Sequence, residues 1–384
     1  EYFERLFNFF SEYNFTIDEN DPNDAEVGVD PEMLGKIFEN LLEDNKDKGA
    51  FYTPKEIVRY MCQESLIAYL ETNTSIAKEK IRNFVLSPEE GIADISEKWR
   101  CSLIKALENV KICDPAIGSG AFPMGLLNEL LKCREALSTF NFQFSTFNST
   151  RSQLKKSIIQ NNIYGVDIEK GAVDIARLRF WLSIVVDEEE ASPLPNLDYK
   201  IMQGNSLIES YKGLDLSKLT YAKKSCGHIS QYSIFEDDTK QLQREVTQLL
   251  TQYYSCSDHD KKTDLRNKIS NTIAKQLSVQ NFDADILREL RTLDLAGNDQ
   301  FFLWHTWFSD VFNKGGVDIV IGNPPYVNFA NIKSAEYRAL LKEKFYSTKN
   351  KCDLYAFFIE FGFGILNNNG VISYIVPHTW KATD

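Results

Sequence analysis

The chain has 384 residues, 43% of them apolar and 26% charged, with a formal net charge of −12. This is the composition of a folded protein of two or three domains, and the acidic balance excludes a protein that holds nucleic acid by general basicity alone. The charge is unevenly placed: residues 1–50 carry 14 Asp or Glu against 4 Lys or Arg, so the remainder is close to neutral and is free to form a local basic cleft.

In chain order, residues 1–50 hold two candidate helices on either side of an acidic linker at 18–30. One is aromatic-rich, at 1–13. The other follows Pro31, where Met33, Leu34, Ile37, Phe38, Leu41 and Leu42 recur at helical spacing. Phe51-Tyr52-Thr53-Pro54 comes after a turn. Thr53 as N-cap, Pro54 at the first helical position and Glu56 three residues after the cap predict a capping box that opens a helix over 54–70. Helices at 75–86 and 94–107 complete a helical N-terminal region, 1–108. The pattern then changes to a strand at 110–113, a glycine loop at 114–120 and a helix at 121–131, which open an α/β domain spanning 109–384. An irregular excursion at 140–151 precedes a strand at 162–167, a helix at 169–186 and a short strand at 201–205. Residues 208–300 read as a largely helical insertion. Within it, the polar stretch 239–277 predicts one or two helices forming an arm or cap, and 282–293 another helix; Asp258-His259-Asp260 interrupts any heptad run and weakens a coiled-coil reading. Val317-Asp318-Ile319-Val320-Ile321-Gly322 reads as a strand near the middle of a sheet covered on both faces. A helix at 353–366 and a strand at 370–376 follow.

Seven cysteines stand at 62, 101, 113, 133, 226, 256 and 352 without CxxC or cysteine–histidine spacing. Reduced thiols, a cytoplasmic setting and no metal site are expected. No apolar run reaches transmembrane length and no signal peptide is recognisable, so no membrane association is expected. A start at Glu1 and a stop shortly after Pro377-His378-Thr379-Trp380 suggest a piece of a longer protein.

Two loops carry chemistry. In Asp114-Pro115-Ala116-Ile117-Gly118-Ser119-Gly120, the glycines let a ligand approach the backbone and the following helix offers free N–H groups. A dinucleotide site would carry a third glycine and an acid roughly 20 residues on, whereas here the next acid, Asp167, comes 53 residues later. Asp114 repels a phosphate and attracts an ammonium such as that of a methionine moiety. The alternative is a structural strand-to-helix turn. Asp167 at a strand end is suited to accept both hydroxyls of a ribose, or simply to cap the helix after it. Asn205 and Ser206 are candidates to reach an adenine ring. The second loop, Asn323-Pro324-Pro325-Tyr326, offers two acceptors, the Asn323 side-chain oxygen and the Pro324 carbonyl, to the hydrogens of an amine conjugated to an aromatic ring. Held this way, the lone pair localises as a methyl group arrives; the prolines stiffen the loop and Tyr326 provides a face on which a base can stack.

With these residues the chain resembles the adenine-N6 DNA methyltransferases, most closely the domain found in fused type IIG (Eco57I-like) restriction-modification enzymes and phage-defence modification proteins. The resemblance covers about 30–381 and also draws on Lys351-Cys352-Asp353-Leu354-Tyr355 and on 370–380. It implies a Rossmann-like methyltransferase fold using S-adenosyl-L-methionine, with Tyr52, Thr53 and Pro54 contacting the cofactor. Asp114, Pro115, Ala116, Gly118 and Gly120 would form the methionine loop, Asp167 and Ile168 the ribose contact, Asn205 and Ser206 the adenine-side turn, and Asn323 to Tyr326 the catalytic loop. Ile117, where small or polar residues are usual, and Asn205, where an acid is common, depart from the pattern. The implied partner is double-stranded DNA with a flipped adenine, read by a C-terminal recognition domain beyond 384; a nuclease domain would lie before Glu1. Cytosine N4, a protein glutamine, or a non-catalytic assembly role are the alternatives.

Overall fold

The computed structural model describes residues 53–139, 150–188, 193–217, 234–256, 258–279, 284–349 and 353–378. The two helices expected within 1–50, and Tyr52, lie outside the described residues. Five strands form a parallel sheet: β1 (Ile112–Asp114), β2 (Ile163–Asp167), β3 (Ile201–Gln203), β6 (Val317–Gly322) and β7 (Leu366–Tyr374), in the order β3-β2-β1-β6-β7. β4 (Ser210–Tyr211) and β5 (Leu214–Asp215) make a separate small hairpin.

Alternate strand residues feed two cores, as the period of a pleated strand requires. Ile112, Ile163, Ile201, Ile319 and Ile321 enter one; Cys113, Tyr164, Val166, Met202, Val317 and Val320 enter the other. The first core is closed by α1 (Lys55–Asn73), α2 (Lys78–Leu86), α3 (Glu97–Asn109), α4 (Ala121–Thr139), α5 (Arg151–Asn162) and α6 (Lys170–Val185). The second is closed by α7 (Ile234–Ser255), α8 (His259–Val279), α9 (Ala284–Thr292), α10 (Ala335–Lys344) and α11 (Leu354–Ile365), with two single turns at Trp304–Trp307 and Ser309–Phe312 between α9 and β6. This is the parallel sheet, covered on both faces, of a Rossmann-like methyltransferase fold. Among the described residues no helix is long and apolar enough to cross a membrane.

Several expectations are corrected. The polar stretch at 239–277 forms two helices, α7 and α8, and of the arm or cap expected there the arm is ruled out: Val246, Leu250, Tyr253, Ile269, Ile273 and Leu277 are buried in the same core as β2 and β3. Each such side chain, fully buried, contributes about 1.5–3 kcal/mol, which holds the pair against the sheet. The capping box at Thr53 does not form. Pro54, at ψ 143, is itself the N-cap of α1, without a side-chain cap bond, which leaves Thr53 one position outside the cap, where its hydroxyl accepts from Asn323. α4 runs eight residues past its expected end, since Cys133, Ala136 and Leu137 continue its buried face. β7 begins at Leu366 rather than 370 because Leu366 already pairs with Val317; a register shift before the Ile319–Val371 pair then takes up the asparagine run.

Candidate active site

The chain steps outward from β1 to β2 to β3 and then returns to the other side of β1 as β6, so strand order reverses between β1 and β6. In an open parallel sheet the crevice beyond the C-terminal ends at such a point is where ligands bind. The loop at 114–120 leaves β1 there, and the loop at 323–326 leaves β6 beside it.

The first loop is built around two glycines in left-handed backbone, Gly118 at φ 53 and Gly120 at φ 88, a conformation costly for other residues. A side chain at Gly118 would meet nothing within 4 Å, so that position faces open space. Its amide donates to Asp167 Oδ2 at 2.8 Å, while Glu169 N donates to Asp167 Oδ1 at 2.9 Å. Asp167 therefore both ties the loop to β2 and starts the turn into α6. Two of the roughly four acceptor positions of its carboxylate are thereby used. The unusual Ile117 is also explained: it is buried directly over Gly165, where an added Cβ would lie 2.2 Å from Ile117 Cδ1.

Asp114 is 1% exposed. Its Oδ1 accepts from Ala116 N at 3.0 Å, and among the described residues no lysine or arginine forms an ion pair with it. Burial pushes its carboxyl well above the ordinary range; the Ala116 amide opposes this and the Asp167 charge adds to it. Asp167 is half-buried, and loss of solvent raises it too, against the amides of Glu169 and Gly118. The Tyr374 hydroxyl is pushed up by burial and then by Asp114. Perturbed acids converging on a crevice are a mark of a functional site.

The turn after β3 is tied to the first loop. Ser206 Oγ donates to the Pro115 carbonyl at 2.6 Å, and Trp304 Nε1 donates to the Ser206 carbonyl at 3.0 Å, so Ser206 is a tie between loops. Asn205 is buried, its Oδ1 accepting from Leu207 N at 3.2 Å and from the Tyr337 hydroxyl at 3.5 Å. Burial pushes Tyr337 up to about 12. Ile168 beside Asp167 remains 44% exposed.

The second loop touches the first. A Cβ on Gly322 would lie 2.5 Å from Asp114 Oδ1, so glycine at the end of β6 is what allows the two loops to meet. Asn323 Nδ2 donates to Thr53 Oγ1 at 3.1 Å. Pro324 is buried, and Pro325 and Tyr326 half-buried. Tyr326 donates its hydroxyl to the Ile375 carbonyl at 2.9 Å and meets Tyr355 edge-on, centroids 6.2 Å apart. Beyond it, Leu354 N donates to the Val327 carbonyl at 2.7 Å and Asn328 Nδ2 to Asp353 Oδ1 at 3.0 Å. Pro54 is exposed at the start of α1.

Contacts thus join Thr53 to Asn323, Gly322 to Asp114, Gly118 to Asp167 and Ser206 to Pro115. Sequence reasoning missed Tyr337 and Tyr374 and the Thr53–Asn323 bond. Tyr374 lies in the 370–380 segment of the resemblance; the bond joins residues 270 positions apart and left no local signal.

Residues 161–384 match the family model described as Eco57I restriction-modification methylase. A relative from Methanocaldococcus jannaschii, named putative type II restriction enzyme and methyltransferase RM.MjaORFECS2P, is 26% identical over 98% of this chain and 36% of its own length. The adenine-specific methyltransferase PglX of Lacticaseibacillus casei is 22% identical over 94% of this chain and 29% of its own. The adenine-specific methyltransferase BrxX of Escherichia coli is 21% identical over 91% of this chain and 28% of its own. The chain spans about a third of the length of the curated relatives it matches.

Proposed function

The chain belongs to the Eco57I restriction-modification methylase family, and on that premise we propose that it transfers the methyl group of S-adenosyl-L-methionine to the N6 amine of adenine in DNA. The observation that carries this reading is the contact of two loops at Gly322 and Asp114, which sets an amine-holding loop beside a buried acid. Adenine is favoured over cytosine because two relatives are named adenine-specific methyltransferases.

The residues fit the cofactor. Asp114 and Asp167 are both pushed up by loss of solvent, and Asp114 has no cationic partner among the described residues, so a ligand bringing an ammonium and ribose hydroxyls supplies what these acids lack. The open space at Gly118 leaves room beside them. When bound, the cofactor supplies an electrophilic methyl on a sulfonium. We assign Asp114 and the loop 115–120 to the methionine end, Asp167 to the ribose, and Ile168 and Asn205 to the adenine side. Ser206 acts by holding Pro115.

Asn323 Oδ1 and the Pro324 carbonyl accept the two N–H bonds of the target amine. That withdraws its lone pair from the ring and aims it in line. Two prolines keep these acceptors preorganised, so no reorientation is needed as charge develops. The Tyr326 ring, anchored at Ile375 and braced by Tyr355, takes the stacked base, an interaction worth roughly 1–3 kcal/mol. Duplex DNA with the adenine flipped out is the proposed partner. Sequence reading is assigned to a separate recognition domain, and any cleavage to a nuclease domain; the M. jannaschii relative's name joins a restriction enzyme to a methyltransferase.

The test is Asn323→Ala in the intact protein. Methyl transfer is expected to fall by at least about 10²–10³-fold, the scale for losing one preorganised hydrogen-bonding group, while calorimetry shows cofactor binding unchanged. Mass spectrometry of digested DNA should show N6-methyladenine. N4-methylcytosine, or turnover retained by the variant, would sink the assignment.

A further inference from the structure

Thr53 stands just before a helix, yet it is closed off from solvent. It is 7% exposed. It precedes Pro54, which restricts its backbone to extended conformations, and it opens α1, whose Val58, Cys62 and Leu66 are fixed in the first core. α1 also packs against β6 and β7, so the Thr53 hydroxyl is carried to the foot of the catalytic loop by buried contacts. There it meets the Asn323 amide at 3.1 Å.

A carboxamide has a donating and an accepting end, and only the Oδ1 end serves an amine that must give up hydrogens. We propose that Thr53 is a positioning residue for methyl transfer: its hydroxyl accepts from Asn323 Nδ2 and so turns Oδ1 toward the target amine. The inference rests on the acceptor role of Asn323 proposed above. It gives Thr53 a function in the chemical step in place of a contact with the cofactor.

Thr53→Val keeps the shape and removes the acceptor. In the intact protein, turnover at saturating cofactor is expected to fall about 10-fold, as when a reacting group loses orientation but stays in its site. Cofactor affinity and melting temperature should hold, and Thr53→Ser should restore turnover to within about 3-fold of the starting protein because it restores the hydroxyl. A raised cofactor dissociation constant with unchanged saturated turnover would make Thr53 a cofactor contact and overturn the inference, as would equal turnover in the Val and Ser variants. If the valine variant does not fold, Thr53→Cys, of similar size with only a weak acceptor, takes its place with the same two outcomes. The two readings fail separately: turnover by Asn323→Ala removes the premise, whereas an inactive Asn323→Ala beside a fully active Thr53→Val removes this inference alone.

Discussion

The two ends of the parallel sheet handle buried charge in opposite ways. At the N-terminal end, Lys200 is 3% exposed, yet it donates to the Tyr164 hydroxyl at 2.7 Å, faces Asp310 at 3.4 Å and lies 4.0 Å and 4.6 Å from the ring centroids of Tyr164 and Tyr254. Burial pulls Lys200 down to about 8 against the pull of Asp310. For Asp310, burial pushes up, but Lys200, the Tyr164 hydroxyl and Lys111 outweigh it and hold the carboxylate below the ordinary range. At the C-terminal end, Asp114 has one backbone amide and no cation among the described residues, and repulsion from Asp167 pushes its carboxyl further up. The fold neutralises the first set with its own side chains and gives Asp114 no cation among the described residues; in the proposed function a ligand supplies that charge. A buried charge that a protein satisfies internally is structural; one it leaves unsatisfied is a binding site in waiting.

The variant that tests this contrast most severely is Asp114→Asn. Loss of one member of a buried charge pair costs about 2–5 kcal/mol of affinity, so calorimetry should show cofactor binding weakened by that amount. The same substitution should stabilise the free protein at neutral pH. The sign follows from the raised carboxyl: the folded state keeps the proton to higher pH than the unfolded chain, so the stability this group confers is full below the unfolded carboxylate's range and is lost as pH rises through the folded value. Thermal melts across pH should show that decline in the native protein and a flatter profile in the variant. By the same linkage, cofactor affinity should weaken as pH falls through the raised value. Undiminished affinity in Asp114→Asn would place Asp114 with Lys200 and Asp310 as internal structure.

Next in size is Gly322→Ala. The new methyl group would sit 2.5 Å from Asp114 Oδ1, so the buried carboxylate or the Asn323 loop must move. A displacement of about 1 Å at a reacting group costs on the order of 10²-fold in rate, and single-turnover measurements should show a loss of that order with a smaller effect on cofactor affinity. Equal turnover would mean that the two loops do not act as one site.

Much of this site was legible because its chemistry is local. Asp114 to Gly120 and Asn323 to Tyr326 announce themselves by residue type, and the bounds of β6 followed from its β-branched run. The pairing of the two loops came only from the family resemblance, because it depends on β6 returning beside β1, a fact of strand order that no residue in either loop encodes. The same limit explains α7 and α8. Their apolar residues recur on one face, Val246, Leu250 and Tyr253 on one helix and Ile269, Ile273 and Leu277 on the other. Such a pattern tells which face is buried and is silent on whether its cover is a partner helix alone or a sheet beneath both. Thr53 shows the reverse failure: the local capping pattern was correct as a pattern, and the hydroxyl stands outside the cap in a tertiary bond.

The smallest expected effect belongs to the N-terminal end, and it asks whether that end is as independent of the chemistry as its internal pairing implies. Asp310→Asn leaves Lys200 buried with its Tyr164 hydroxyl but without a countercharge. Breaking such a pair should cost about 1–3 kcal/mol of stability at pH 7, less than for a fully buried pair because Asp310 keeps 38% of its side chain in water. In the native protein burial pulls Lys200 down to about 8, below the ordinary lysine range, so between the two values the unfolded chain holds more protons and stability gains as pH rises. Removing Asp310 lowers the folded value further and extends the window downward, so the variant should recover part of its lost stability as pH is raised from neutrality, in denaturant titrations at matched ionic strength. Methyl transfer at a temperature where both proteins are folded should be unchanged. A loss of turnover comparable to that of Gly322→Ala would show that the charge network under Tyr164 is transmitted along β2 to Asp167, and the two ends would then have to be treated as one electrostatic unit.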